Sequence, residues 1–235
     1  MELFTADGGQ FLLRFIHFMA GVVWIGMLYY FNFAQIPYFA ETKTTPGTGE
    51  FRKLIARVLW WFRWGAMFTF LSGLGMILVK IGQGGGAVMS SSWGVAISVG
   101  ALLGTLMFAN VWLVIWPKQK IVLANLEGVA GGAQPDPNAA PAGARAFVAS
   151  RTNALFSIPM LFFMGAASHL PLFGENASPG MPLGIVTAII LAIEANALFG
   201  QKAKGPSALL EKHVAVIHVG LALALVFYLL IATLA

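Results

Sequence analysis

Arg14–Pro37, RFIHFMAGVVWIGMLYYFNFAQIP, is an apolar run carrying a cation and an imidazole where lipid would leave both without a partner. It is long enough to cross a hydrocarbon core of roughly 30 Å at about 1.5 Å per residue. At about 100° per residue, Arg14, His17, Gly21, Trp24 and Leu28 share one stripe, so a guanidinium, an imidazole, a gap and an indole face the same neighbour. An ionisable residue inside such a span marks a candidate functional site.

The rest of the chain has the same character. Hydrophobic residues make up 58% of the 235 positions and charged residues only 10%, which excludes a water-soluble globule and points to an integral membrane protein. Without a cysteine there is no covalently attached c-type haem, no thiolate-held iron–sulfur cluster and no disulfide. Any metal or haem must be held by His, Met, Tyr or carboxylate. The net charge of +5 resides in short loops between apolar runs, so it writes topology and argues against nucleic acid as a partner. Glu2 and Asp7 replace the basic start of a signal peptide, and the first run is expected to be a retained span.

Hydropathy predicts a single all-α transmembrane domain over 1–235, a bundle of about six helices at about 10–34, 60–82, 92–116, 149–172, 180–200 and 212–234. Alternate connections hold the basic residues. Lys43, Arg52, Lys53 and Arg57 follow span one, Lys118, Lys120 and Arg145 follow span three, and Lys202, Lys204 and Lys212 follow span five. The opposite connections contain only Lys80. These loops are therefore expected in the cytoplasm and both termini in the periplasm, as a multi-pass protein of a bacterial inner membrane in contact with lipid. Phe51, Leu54, Ile55, Val58 and Leu59 recur at helical spacing and predict an interfacial amphipathic helix leading into span two. Residues 128–146, rich in Ala, Gly and Pro, read as a flexible cytoplasmic loop. Pro159 should kink span four, and Gly73, Gly75, Gly100 and Gly104 allow close helix approach. No internal repeat is convincing.

The polar residues within the spans fall into two layers. His17 and His169 lie about 10 and 5 Å below the outer surface at 1.5 Å per residue, each four residues from a glycine, Gly21 or Gly165. They could flank a haem b, or they could be packed histidines bonded to Arg14 or other helices. Toward the other face lie Asn32, Arg63, Asn110, Arg151, Asn153, Glu194, Asn196, His213 and His218. Glu194 either pairs with Arg63, Arg151 or a histidine, or remains protonated. Of the last two histidines, His218 is the deeper and the better alternative ligand. Arg63 and Arg151 snorkel or serve an anion, and Trp60–Trp64, Trp112 and Trp116 suit an aromatic belt.

Four ordered runs carry a resemblance: HFMAGVVWIGMLYYFNFAQIP in span one, WWFRWGAMFTFLSGLGMIL in span two, ANVWLVIWPKQKIVLAN in span three and ASRTNALFSIPMLFFMGAASH in span four. Together they resemble the membrane domain of cytochrome-c-linked urate oxidases, and span one is also similar to membrane protoporphyrinogen oxidases and copper-resistance D-type proteins. The resemblance implies a membrane oxidoreductase that hydroxylates urate, or a similar purine, to 5-hydroxyisourate. Electrons would leave through haem b to a periplasmic cytochrome c or another redox subunit. His17 and His169 would hold the haem iron, with His218 as the alternative, beside Arg14, Gly21 and Trp24. Glu194, Arg151, Asn153 and Asn110 would handle substrate and protons, arginine suiting a planar anion because its fork donates two parallel bonds. The chain stops at Ala235 without a C-x-x-C-H run, so the acceptor is expected to be separate. The alternative is a non-catalytic membrane subunit of a respiratory or photosynthetic electron-transfer complex.

Overall fold

A computed structural model of the chain describes residues 2–42, 50–174 and 177–235. Among the described residues there is no strand, and six helices are long and apolar enough to cross a membrane. They are α1 (Ala6–Thr42), α2 (Glu50–Gly84), α3 (Ser92–Ala130), α4 (Ala139–His169), α5 (Gly180–Phe199) and α6 (His213–Leu234). Lys43 lies outside the described residues.

Local sequence explains where these helices start. Thr5 caps α1 by accepting from the Gly8 amide at 3.3 Å, and Ser91 caps α3 by accepting from Gly94 at 3.2 Å. The amphipathic segment after Glu50 is continuous with α2, burying Ile55, Leu59 and Phe62 along one stripe.

The expected loop over 128–146 is mostly helical. Helix α3 continues to Ala130 and α4 begins at Ala139, leaving only 131–138 between them. Alanine is the strongest helix former, and Pro141 falls in the first turn of α4, where its missing N–H costs nothing. The remaining connection is tied down, with the Asp136 amide donating to Asn125 Oδ1 at 2.7 Å.

Helix α1 packs on α2, α3 on α4, and α6 on the far side of α4. Central α4 has 67% of its most apolar window buried, against at most 33% in the other five. Two close approaches fix these pairs. A Cβ at Gly65 would come within 3.0 Å of the Trp24 amide nitrogen and 3.2 Å of the Ala20 carbonyl, so α1 and α2 touch backbone to backbone. Pro159, inside α4, frees the Leu155 carbonyl four residues earlier. That carbonyl lies against Gly220 of α6, where a Cβ would stand 3.1 Å from it.

The two helix pairs share a pattern. Both α1 and α3 contain a wide π turn, at Tyr30–Gln35 and Asn110–Ile115, ending two residues before Pro37 and Pro117. In the partner helices, FRWGAMFTF at 62–70 aligns with SRTNALFSI at 150–158, matching Arg63 to Arg151, Ala66 to Ala154, Phe68 to Phe156 and Thr69 to Ser157. The two pairs thus share a local pattern of π turn, following proline and aligned Arg, Ala and Phe positions.

Candidate functional site

A cavity of about 560 Å³ opens between α1, α2, α3 and α4. Gln10, Arg14, Lys80 and Trp93 line it at one end together with Ser168 and His169, the last residues of α4. Trp24, Thr69, Thr105 and Met160 line it at the other end, about 21 Å further along α1 at 1.5 Å per residue. Most of the wall between is apolar side chains.

His17 stands in this wall and is held from α2. Its Nδ1 is 2.9 Å from the Thr69 carbonyl oxygen, and since a carbonyl only accepts, Nδ1 carries the proton and donates. Ser72 Oγ lies 3.3 Å from the same nitrogen. Gly73 makes room for the ring: a Cβ there would come within 3.0 Å of His17 Cε1 and 3.3 Å of Nδ1. The lone pair of a neutral imidazole therefore sits on Nε2, which forms no hydrogen bond among the described residues.

The other residues expected near His17 divide. Arg14, Trp24, Gly165 and His169 line the same cavity, whereas Gly21 faces Thr69, 3.9 Å from a built Cβ to its methyl. Trp24 is buried, and its Nε1 has no partner among the described residues. Of the four glycines expected to admit neighbours, Gly73, Gly75 and Gly100 meet His17, Leu13 and Met164. Gly104 has nothing within 4 Å and opens onto the cavity. His218 is exposed on α6, away from these groups. His213 lies with its ring 6.4 Å from that of Phe33.

Below the cavity's Trp24 end is a second polar group, about 8–10 Å further along α3 and α4 by helical rise. Asn110 Nδ2 donates to Asn153 Oδ1 at 3.0 Å and to Glu194 Oε2 at 3.1 Å, joining α3, α4 and α5. Asn153 Nδ2 in turn donates to the Met107 carbonyl at 2.9 Å. The π turn beginning at Asn110 helps aim its side chain inward. All three side chains are buried, with Asn153 fully enclosed. Glu194 is thus met by a neutral amide, not by Arg63, Arg151 or a histidine. It can take or give a proton without breaking an ion pair.

Arg151 does not join that group. Two residues from Asn153, about 200° around α4, it points the other way. Its guanidinium carbon is 5.2 Å from the Phe147 ring centroid. Fully buried, it leaves Nε and Nη1 without partners among the described residues.

Thr69, Ser72 and Gly73, which set the His17 ring, were not singled out together from the sequence. Their spacing of three and four is a small-residue stripe on α2, and that pattern could have found them. Lys80, Trp93 and Met164, from three helices, carried no such signal.

Residues 87–230, more than half of the chain, match the family described as urate oxidase N-terminal. The match starts after α2, so it covers the last two spans, where the resemblance was least distinct, and omits the first two. No curated protein and no solved structure matches the chain.

Proposed function

The chain belongs to the urate oxidase N-terminal family, and on that premise we propose that it is a membrane oxidoreductase that hydroxylates urate or a closely similar purine. Electrons would pass through haem b to a cytochrome c, or another redox subunit, at the periplasmic face. The Lys and Arg of alternate connections support a cytoplasmic-membrane topology with both termini on that face.

The observation that carries the haem reading is the fixed His17 tautomer. Ligating histidines commonly donate their second ring nitrogen to a carbonyl, which orients the ring and raises its basicity. His17 does this to Thr69 while lining a largely apolar cavity that His169 also reaches. Those two histidines would hold haem b, with Arg14 pairing a propionate. Bound there, the group supplies a one-electron relay. His218, exposed on α6, lacks that setting.

Hydroxylation of urate by water releases two electrons and two protons. Glu194 suits the proton role, because its partner Asn110 holds the carboxyl in place in either protonation state through one amide that touches Asn153 as well. Arg151, buried with unpaired N–H groups on the opposite side of α4, offers charge-assisted donors to a purine anion.

The test is a reduced-minus-oxidised visible spectrum of the purified chain, with pyridine haemochrome quantitation, repeated on His17→Ala and His169→Ala. Urate-dependent reduction of added cytochrome c follows. A b-type spectrum lost in both variants, with urate oxidised by the wild type alone, is the expected result. A wild type without haem that consumes no urate would overturn it and leave the non-catalytic subunit.

A further inference from the structure

Arg63 of α2 is half-buried, with its guanidinium held among indoles. Its guanidinium carbon sits 3.9 Å from the Trp116 ring centroid, 5.2 Å from that of Trp112 and 5.8 Å from that of Trp64. Trp64 and Trp112 meet edge to face at 5.7 Å, so one indole from α2 and two from α3 box the cation in the groove between those helices. Arg63 Nε is buried without a hydrogen-bond partner among the described residues, and so is Trp112 Nε1. Cation–π attraction holds the charge but satisfies neither N–H, and a buried donor left unmet is costly. The terminal guanidinium N–H groups of half-buried Arg63 are not among the enclosed donors, so an acceptor can reach the cation from its open side.

Its level along the helices says what kind of acceptor. From Arg63 to the end of α2 at Gly84 is about 31 Å, and from the start of α3 at Ser92 to Trp112 about 30 Å, at 1.5 Å per residue. Both lengths equal the hydrocarbon thickness of roughly 30 Å, which sets the box at the headgroup boundary of one leaflet. Lys120 lies one turn beyond Trp116, with Nζ 5.9 Å from that ring, at headgroup depth. Phe68 and Leu71, exposed at 52 and 51%, offer apolar surface on the hydrocarbon side of the box.

We infer that the face between α2 and α3 binds an anionic phospholipid, whose phosphate oxygens accept from the open end of the Arg63 guanidinium while its acyl chains lie along the exposed apolar residues on the hydrocarbon side. A guanidinium suits phosphate because its donors are planar and paired. Basic pockets between membrane helices are established lipid-headgroup sites. A zwitterionic headgroup would bring an ammonium toward Lys120, so net negative charge is selected. This site is separate from the histidine-lined cavity and does not depend on the redox reading.

The experiment is native mass spectrometry of the delipidated full chain titrated with phosphatidylglycerol, phosphatidylcholine or inorganic phosphate. Wild type, Arg63→Gln and Arg63→Lys are compared, with circular dichroism to confirm folding. Phosphatidylglycerol should bind about tenfold tighter than phosphatidylcholine, the worth of one charge-assisted hydrogen bond. Arg63→Gln should abolish that preference, and Arg63→Lys should keep part of it. If Arg63→Gln does not fold, Lys120→Gln, an exposed position outside the box, should still lower the preference about threefold, within the range for one surface charge. Equal binding of the two lipids by the wild type, or an unchanged preference in these variants, overturns the assignment. Displacement of phosphatidylglycerol by millimolar inorganic phosphate assigns the box to a free anion and overturns it as well.

Discussion

Gly73→Ala tests whether His17 is held in place from α2. The added Cβ would stand 3.0 Å from Cε1 and 3.3 Å from Nδ1 of His17, inside the ordinary carbon contact of about 3.5–4.0 Å. The ring must move by about 0.5–1 Å to relieve this. That movement stretches the 2.9 Å bond from Nδ1 to the Thr69 carbonyl toward the limit of a hydrogen bond. Overpacking of this kind costs about 1–3 kcal/mol, offset in part by about 0.5–1 kcal/mol from exchanging helical glycine for alanine. Gly75→Ala is the matched control: its Cβ meets only the flexible end of Leu13, at 3.3 Å, so the alanine gain should prevail. The assay is thermal or denaturant unfolding of both variants in the wild-type and His17→Ala backgrounds, a double-mutant cycle. Gly73→Ala should destabilise only when the imidazole is present and become neutral or stabilising without it. With haem b held as proposed, it should also weaken retention by about 10–100-fold, as loss of a ligand's supporting contacts does. Equal cost in both backgrounds would refute the wedge between Gly73 and His17.

Three further outcomes are expected. Asn110→Leu removes the donor shared by Asn153 and Glu194, and should cost about 1–3 kcal/mol in an unfolding titration, because two buried acceptors lose their partner. A loss under about 0.5 kcal/mol would mean that neither bond is made. Gly220→Ala should destabilise by about 1–3 kcal/mol, since its Cβ would press on Ile158 and on the Leu155 carbonyl. Gly104→Ala, with nothing within 4 Å, should not destabilise the protein. Reporter fusions at either terminus should be active only on the periplasmic side, and a cytoplasmic signal at one end would contradict the charge-based topology.

The residues legible in the sequence were those whose type is costly in lipid. His17, His169 and Arg14 stood out in apolar runs, and the structure brings them to one cavity wall. Asn110, Asn153 and Glu194 were expected together and share hydrogen bonds through Asn110. Arg151 was expected beside them because its depth matches theirs. Depth follows from counting residues, but the side of a helix that a buried residue faces depends on which neighbours surround it. In α4 those neighbours lie on every side, so periodicity carries no direction. The segment at 128–146 misled for a different reason, since its alanines favour a helix while its glycines and prolines suggest a loop.

By itself, then, the sequence determined an all-helical chain with six helices long and apolar enough to cross a membrane, and the level of each polar residue along them, because hydrophobic length and the cost of buried charge are properties of a segment alone. Only the tertiary structure decided which of those levels share a site. It alone showed His17 proton-locked by Thr69 across Gly73, Arg63 boxed by indoles of a second helix, and Glu194 met by an amide instead of a cation. These are contacts between helices far apart in the chain, set by the rotation and close approach of each helix, which no single apolar run encodes.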